Sequence, residues 1–175
     1  MVEQNFDKKL NSEVEHYATR YGFKADDRGR GFEGYLVHLF AQEYGFESHL
    51  EGLESTDPDL DLSDQLLRSD DLGVDVVLVD EDHKRLMIVQ AKWDGSKHYP
   101  SEEELNSTFG LHERLMSQEF VATGGDHARE LLGHYSEMIE AGYQVLIRFV
   151  TNKPIVSERH QKFDAARKAK QEAYE

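Results

Sequence analysis

The amino-acid sequence predicts an α/β domain of three layers, in which helices cover both faces of a small mixed sheet. Two apolar, largely β-branched runs, Val74–Val79 and Leu86–Val89, flank a polar connector at Asp80–Arg85, which is typical of a β-hairpin. Both faces of this hairpin are apolar, so we expect helices on both sides. A third apolar run, Tyr143–Val150, follows a helix-rich segment long enough to return the chain parallel to the second strand.

Two helices are predicted before the hairpin. Apolar residues recur at helical spacing from Phe6 to Tyr21, and Gly22 ends that helix. The polar segment Lys24–Gly31 is expected to be a loop, and Phe32–Tyr44 is expected to be the second helix. The amphipathic pattern places Glu33 at the flank of the buried stripe, from which it could lean towards the rim of the sheet.

Two further helices are predicted between the hairpin and the third strand. Ser101 and Glu104 form a capping box for a helix that extends to Phe120. Asp126 is expected to cap a fourth helix, which Gly142 closes. At 175 residues the chain has the length of one domain, and we expect residues 1–156 to form it.

Two segments lie outside this pattern. Gly45–Asp71 is rich in acidic residues and is expected to be mostly loop, with a short strand near Phe46–Leu50. Pro58-Asp59 lacks the apolar strand that would fix the geometry of a ligand. Asp70 and Asp71 are expected to be solvated loop acids, with a role as secondary metal ligands as the alternative. Residues 157–175 are predicted to form a polar C-terminal helix that docks on a partner or links to further chain.

Three polar residues are predicted to meet at one end of the hairpin. If Asp82-His83 forms a two-residue turn, Asp75 faces Gln90, and Lys92 lies on the same face. One explanation is an ordinary Asp–Lys ion pair at a strand end. The other is a metal-assisted hydrolase, in which the carboxylate binds a hard cation such as Mg²⁺ and the lysine orients or deprotonates the attacking water.

The order of these residues resembles a known nuclease signature. Gly73–Asp75, followed after fourteen residues by Gln90–Lys92, resembles the PD-(D/E)XK signature in its Mrr-like form, where Gln replaces the second acidic residue. Phe32-Glu33 matches the additional glutamate that this family carries on an upstream helix. From about Arg30 to Pro154 the chain also resembles the N-terminal segment of the abortive-infection AIPR proteins, a bacterial phage-resistance family, including a final strand that ends in Thr151-Asn152.

The resemblance implies a restriction-endonuclease-like fold and a Mg²⁺- or Mn²⁺-dependent endodeoxyribonuclease acting in anti-phage defence. It implies catalytic roles for Glu33, Asp75, Gln90 and Lys92, and metal ligation by Asp75, Gln90 and the Ala91 carbonyl. Glu33 would order an outer-shell water, and Lys92 would position the nucleophilic water. Gln90 is a weaker ligand than a carboxylate and leaves the metal count open, while RNA stays an alternative substrate to DNA.

The charge balance points away from a protein that binds DNA alone. The chain has 20 basic and 35 acidic residues, which gives a formal net charge of −15. Binding to phosphates normally needs a basic surface. The segment Tyr143–Glu175 is the exception, with seven basic and four acidic residues. We therefore expect a second copy, a partner subunit or a C-terminal region to supply basic surface. The alternative function is a binding or scaffold module with the nuclease fold in a larger defence complex.

Several other functional classes find no support in the sequence. There is no cysteine, no apolar run approaching ~20 residues and no signal-peptide pattern, so we expect a cytoplasmic protein that does not enter a membrane. His112-Glu113 begins a zinc-binding pattern that Met116 interrupts. Gly29, Gly31 and Gly34 have the spacing of a dinucleotide fingerprint, but no predicted strand precedes them.

Overall fold

The computed structural model describes residues 2–44, 61–67, 71–94 and 100–153, and three further helical positions at 164, 165 and 168. The helices are α1 (Val2–Arg20), α2 (Arg28–Tyr44), α3 (Glu102–Phe109), α4 (Leu111–Leu115), α5 (Gln118–Val121), α6 (Asp126–Leu132) and α7 (Tyr135–Glu140). The strands are β1 (Val76–Asp80), β2 (Arg85–Lys92) and β3 (Gln144–Thr151), and a short 3-10 turn covers Ser63–Gln65. The expected strand at Phe46–Leu50, Pro58-Asp59, Asp70 and most of 157–175 lie outside the described residues.

The described strands form one mixed sheet in the order β1-β2-β3, which confirms the predicted fold class. β1 and β2 are antiparallel, with Val77 opposite Ile88 and Val79 opposite Leu86, and β3 runs parallel to β2. The prediction of a two-residue turn was wrong, because four residues, 81–84, connect the strands and Lys84 adopts a φ of 50°. The turn is still centred on Asp82-His83, so the predicted register is unchanged.

Helices α1 and α2 pack on one face of the sheet. Gly31 permits this arrangement, because a Cβ at that position would lie 2.2 Å from the main-chain oxygen of Val14 on α1. The two helices can therefore approach with their backbones almost in contact. The apolar core of this layer joins α2 to the sheet through Phe32, Leu36, Val37, Phe40, Val76, Leu78, Met87 and Val89.

Helix α2 begins earlier than the sequence predicts. It starts at Arg28, so the prediction of a loop over Lys24–Gly31 was wrong for residues 28–31. Asp27 explains the early start: its side chain accepts a hydrogen bond from the Arg30 amide at 3.2 Å, and its carbonyl accepts one from Gly31 at 3.0 Å. The glycine-rich pattern thus lies within a helix that follows another helix, which is not the context of a dinucleotide site.

Helices α3 to α7 cover the opposite face, and they are shorter than predicted. The capping box of Ser101 and Glu104 is confirmed, but α3 ends at Gly110 and Ser117 caps the separate helix α5. The fourth predicted helix is divided near Gly133 into α6 and α7, and Gly125 rather than Asp126 is its N-cap. The core of this layer contains Val77, Val79, Leu86, Ile88, Leu111, Leu115, Leu132 and Tyr135.

Strand β3 is less buried than the expected core strand. Gln144 and Arg148 are exposed and the other residues of the strand are only partly buried, because β3 lies at an edge of the described sheet. Among the described helices, none has both the length and the apolar character needed to cross a membrane.

Candidate functional site

Asp75 lies just before β1 and is fixed to β2 by two hydrogen bonds. Its main-chain amide donates to the Val89 carbonyl at 2.9 Å, and its carboxylate accepts from the Ala91 amide at 2.6 Å. A turn with positive φ at Leu72 and Gly73 delivers the chain to this position. The carboxylate therefore occupies the place that a continuing strand would fill beside Ala91.

The Ala91 carbonyl belongs to the same site. The main-chain N–H and C=O of one residue in a strand point towards the same neighbour, and the Ala91 amide points towards Asp75. β1 begins only at Val76, which pairs with Val89, so no β1 residue lies opposite Ala91 to occupy its carbonyl through the strand ladder. The Ala91 carbonyl thus points out of β2 on the side where Asp75 lies.

Glu33 reaches this rim from α2 and is buried, with 8% of its surface exposed. Arg30, one turn earlier, donates to its carboxylate at 2.7 Å and to the Leu67 carbonyl at 2.8 Å. Arg30 thus links the first turn of α2 and the Glu33 carboxylate to the main chain at Leu67.

Burial and neighbouring negative charge disfavour the ionised form of both carboxylates. Burial, reinforced by the negative charge of Asp75, raises the pKa of Glu33 to about 8 although Arg30 opposes the shift. Burial and the charge of Asp71 raise the pKa of Asp75 to about 6, against the hydrogen bond from Ala91. Carboxyl groups held in this state favour a cation or a proton, which is typical of functional sites.

Gln90 and Lys92 contact α3, which belongs to the helical layer opposite α1 and α2. The Thr108 hydroxyl contacts the side-chain oxygen of Gln90, and the Lys92 ammonium lies 2.8 Å from one carboxylate oxygen of Glu104. The other carboxylate oxygen of Glu104 accepts from the Ser101 amide at 2.8 Å in the capping box. One helix therefore holds both residues of β2.

The end of β3 closes the site beside Lys92. Thr151 lies opposite Lys92 in the parallel ladder. Asn152 exchanges hydrogen bonds with the main chain of Asp94, donating at 3.1 Å and accepting at 2.8 Å. The Thr151-Asn152 pair thus fixes the chain where it leaves β2.

The predicted residues fall into two neighbouring groups. Glu33, Asp75 and Ala91 gather at the rim next to α1 and α2, whereas the side chains of Gln90 and Lys92 are tied to α3. Sequence reasoning missed the partners Arg30, Glu104 and Thr108. The i,i+3 spacing of Arg30 and Glu33 was a usable signal. The contact of Thr108 with Gln90 depends on the packing of α3 and had no local signal.

No family model, curated protein or solved structure matches this chain. Within the described residues, no group of three or more Asp, Glu or His side chains could hold a metal ion. A site formed by Asp75, the Ala91 carbonyl and the nearby Glu33 still fits Mg²⁺, which is commonly bound by one or two carboxylates together with water and substrate phosphate. The donor set consists entirely of oxygen atoms, as a hard cation prefers.

Proposed function

We propose that this chain is a Mg²⁺- or Mn²⁺-dependent nuclease domain that cleaves DNA phosphodiester bonds, with a role in bacterial anti-phage defence. One observation carries the proposal: two carboxylates with raised pKa, Glu33 and Asp75, lie near one another at one rim of the sheet, where Asp75 accepts a hydrogen bond from the Ala91 amide. The resemblance of the ordered residues Glu33, Asp75, Gln90 and Lys92 to the PD-(D/E)XK signature supports the choice of reaction.

Asp75 and the Ala91 carbonyl would hold the metal, and Gln90 would add its amide oxygen. The metal would supply Lewis acidity, which offsets charge on the scissile phosphate and makes bound water easier to deprotonate. Asp75 is suited to this role because the Ala91 amide fixes one of its oxygens and leaves the other available in that contact. Glu33 would accept a hydrogen bond from a water in the outer shell.

Lys92 would position the nucleophilic water and stabilise negative charge on the phosphate. Its side chain is 49% exposed, so a substrate phosphate could reach the ammonium while Glu104 fixes its direction. Arg30 balances part of the carboxylate charge at the rim before a cation arrives. Because the chain carries a net charge of −15, a second copy, a partner subunit or further chain would supply most contacts to the DNA backbone.

The test is cleavage of supercoiled plasmid in Mg²⁺, in Mn²⁺ and in EDTA, with single-stranded RNA as a parallel substrate. We expect metal-dependent nicking that Asp75→Asn and Lys92→Ala each reduce at least about 100-fold. Lys84→Ala is the matched control, because Lys84 lies at the opposite end of the hairpin and donates to the Ala141 carbonyl at 2.9 Å. Equal nicking by all four proteins would place the activity elsewhere or in a contaminant.

A scaffold module with the same fold is the second candidate, and the ion pair between Lys92 and Glu104 favours it. A lysine neutralised by a carboxylate is a weaker partner for phosphate. The thermal midpoint in the presence of Mn²⁺ separates the two candidates. A shift that Asp75→Asn abolishes, without cleavage of DNA or RNA, supports the scaffold, and the absence of both shift and cleavage rejects the metal site.

A further inference from the structure

The Thr108 hydroxyl is fully buried and lies near two hydrogen-bond acceptors. It contacts the side-chain oxygen of Gln90, and it lies 3.0 Å from the main-chain carbonyl of Glu104 one helical turn earlier. A hydroxyl has one proton and can donate it fully to only one of these oxygens. The Glu104 carbonyl cannot donate in return, whereas the Gln90 amide can do so through its nitrogen.

Two hydrogen-bond patterns therefore satisfy the same three groups. In the first, Thr108 donates to Oε1 of Gln90, and Nε2 faces Gly73, where a Cβ would lie 4.0 Å from it. In the second, Thr108 donates to the Glu104 carbonyl and accepts from Nε2 of Gln90. A half-turn of the amide interconverts the two patterns with little change in shape, and it directs Oε1 towards Gly73.

Two carboxylates belong to the segment around Gly73 that the Gln90 amide faces. Asp71 accepts a hydrogen bond from the Gly73 amide at 2.9 Å, and Asp75 follows two residues later. Two carboxylates favour the donor edge of an amide. A cation bound to Asp75 favours the acceptor edge, because an amide oxygen is a ligand for hard cations and an amide nitrogen is not.

We propose that Thr108 is a positioning residue whose hydroxyl allows Gln90 to present either edge of its amide to the site. This inference rests on the proposed function, since a bound cation is what reverses the preference. Without metal, Gln90 turns its NH₂ group towards the carboxylates. With metal, it turns Oε1 towards the cation, and Thr108 donates to Glu104 instead, so that no buried polar group loses its partner.

Removal of the hydroxyl should weaken metal binding only where Gln90 is present. Thr108→Val keeps the shape of the side chain but can neither accept from the amide nor donate to it. We expect about tenfold weaker Mn²⁺ binding, the usual size of an effect on a residue that orients a metal ligand. Thr108→Ser keeps the hydroxyl and should bind within about twofold of the wild type.

The experiment is calorimetric titration of the full chain with Mn²⁺ for the wild type, Thr108→Val, Thr108→Ser, Gln90→Ala and the double variant Thr108→Val/Gln90→Ala. Asp75→Asn lacks the proposed metal ligand, so the Mn²⁺ that it binds reports binding elsewhere on the acidic surface. That background is subtracted from the titrations of the other variants. The proposal expects Thr108→Val to have no further effect when Gln90 is already alanine. If Thr108→Val is unfolded in EDTA by circular dichroism, Thr108→Ala takes its place in the comparison.

The possible outcomes separate this inference from the function on which it rests. An equal loss in both backgrounds means that Thr108 acts through the packing of α3, and it overturns the inference. An unchanged affinity in Thr108→Val overturns it as well, although the metal site survives. If the wild type binds no more Mn²⁺ than Asp75→Asn does, the proposed metal site and this inference fall together.

Discussion

Replacing Glu33 with glutamine should remove the largest fall in stability with rising pH in the metal-free protein between pH 5 and pH 8, a range in which the lowered pKa of His38 acts in the opposite direction. The pKa of Glu33 is raised from 4.5 to about 8 by burial and by Asp75. Between these two values the folded chain binds more protons than the unfolded chain. Stability therefore falls as the pH rises through this window.

The size of the effect follows from the raised pKa. Ionisation of Glu33 between pH 5 and pH 8 should lower the free energy of unfolding by roughly 3–4 kcal/mol, since each pKa unit corresponds to about 1.4 kcal/mol. For a domain of this length that is a fall of roughly 10 °C in the thermal midpoint. Glutamine cannot ionise, is close in size to glutamate and can still accept from Arg30.

The assay is thermal unfolding in EDTA at intervals from pH 5 to pH 8. The thermal midpoint of the wild type should fall as the pH rises over this range, and that of Glu33→Gln should change far less above pH 7, where Asp75 is ionised in both proteins. Glu15→Gln is the control, because Glu15 pairs with Arg28 near the same helix but is 52% exposed. Parallel curves for wild type and Glu33→Gln would refute the assignment of Glu33 as the buried ionising group.

Three further predictions follow from contacts described above. Mn²⁺ should raise the thermal midpoint of the wild type more at pH 8 than at pH 6, because protons compete with the cation for Glu33 and Asp75. A larger shift at pH 6 would contradict the proposed metal site. Gly31→Ala should lower the free energy of unfolding by about 1–3 kcal/mol in urea, because its Cβ would meet the α1 backbone, whereas Gly29→Ala, with only ordinary contact at 3.7 Å, should change it far less. Glu104→Gln should keep the helix cap but release the Lys92 ammonium from its ion pair. Inorganic phosphate should then inhibit nicking at a lower concentration than it does in the wild type. An unchanged inhibitory concentration would show that the ion pair does not restrain Lys92.

The hairpin could be predicted because its determinants are local. Apolar β-branched runs on both sides of a polar connector specify two buried strands. The residue pair at the centre of the connector then determines which residues of the two strands face each other. The true connector spans residues 81–84, yet Val77 still faces Ile88 because both turns share the same centre. The parallel direction of β3 followed from the length of the crossover alone.

The helices were harder to delimit because their ends depend on tertiary contacts. Apolar spacing continued from Leu105 to Phe120, but Gly110 and the Ser117 cap divide that segment into three helices. The start of α2 at Arg28 depended on Asp27 and on the close approach of Gly31 to α1. Helical periodicity predicts which residues are buried, but it does not predict where a cap ends one helix and begins the next.

The site divides in the same way between local and tertiary determinants. Asp75, Gln90 and Lys92 share one end of the hairpin by strand geometry, which the sequence specifies. Their partners come from helices: Arg30 stabilises the charge of Glu33, and α3 binds both residues of β2. A single movement of α3 would therefore alter Gln90 and Lys92 together and leave the bond between Asp75 and Ala91 intact. The two proposed ligands Asp75 and the Ala91 carbonyl can consequently respond to a different part of the fold from Gln90 and Lys92.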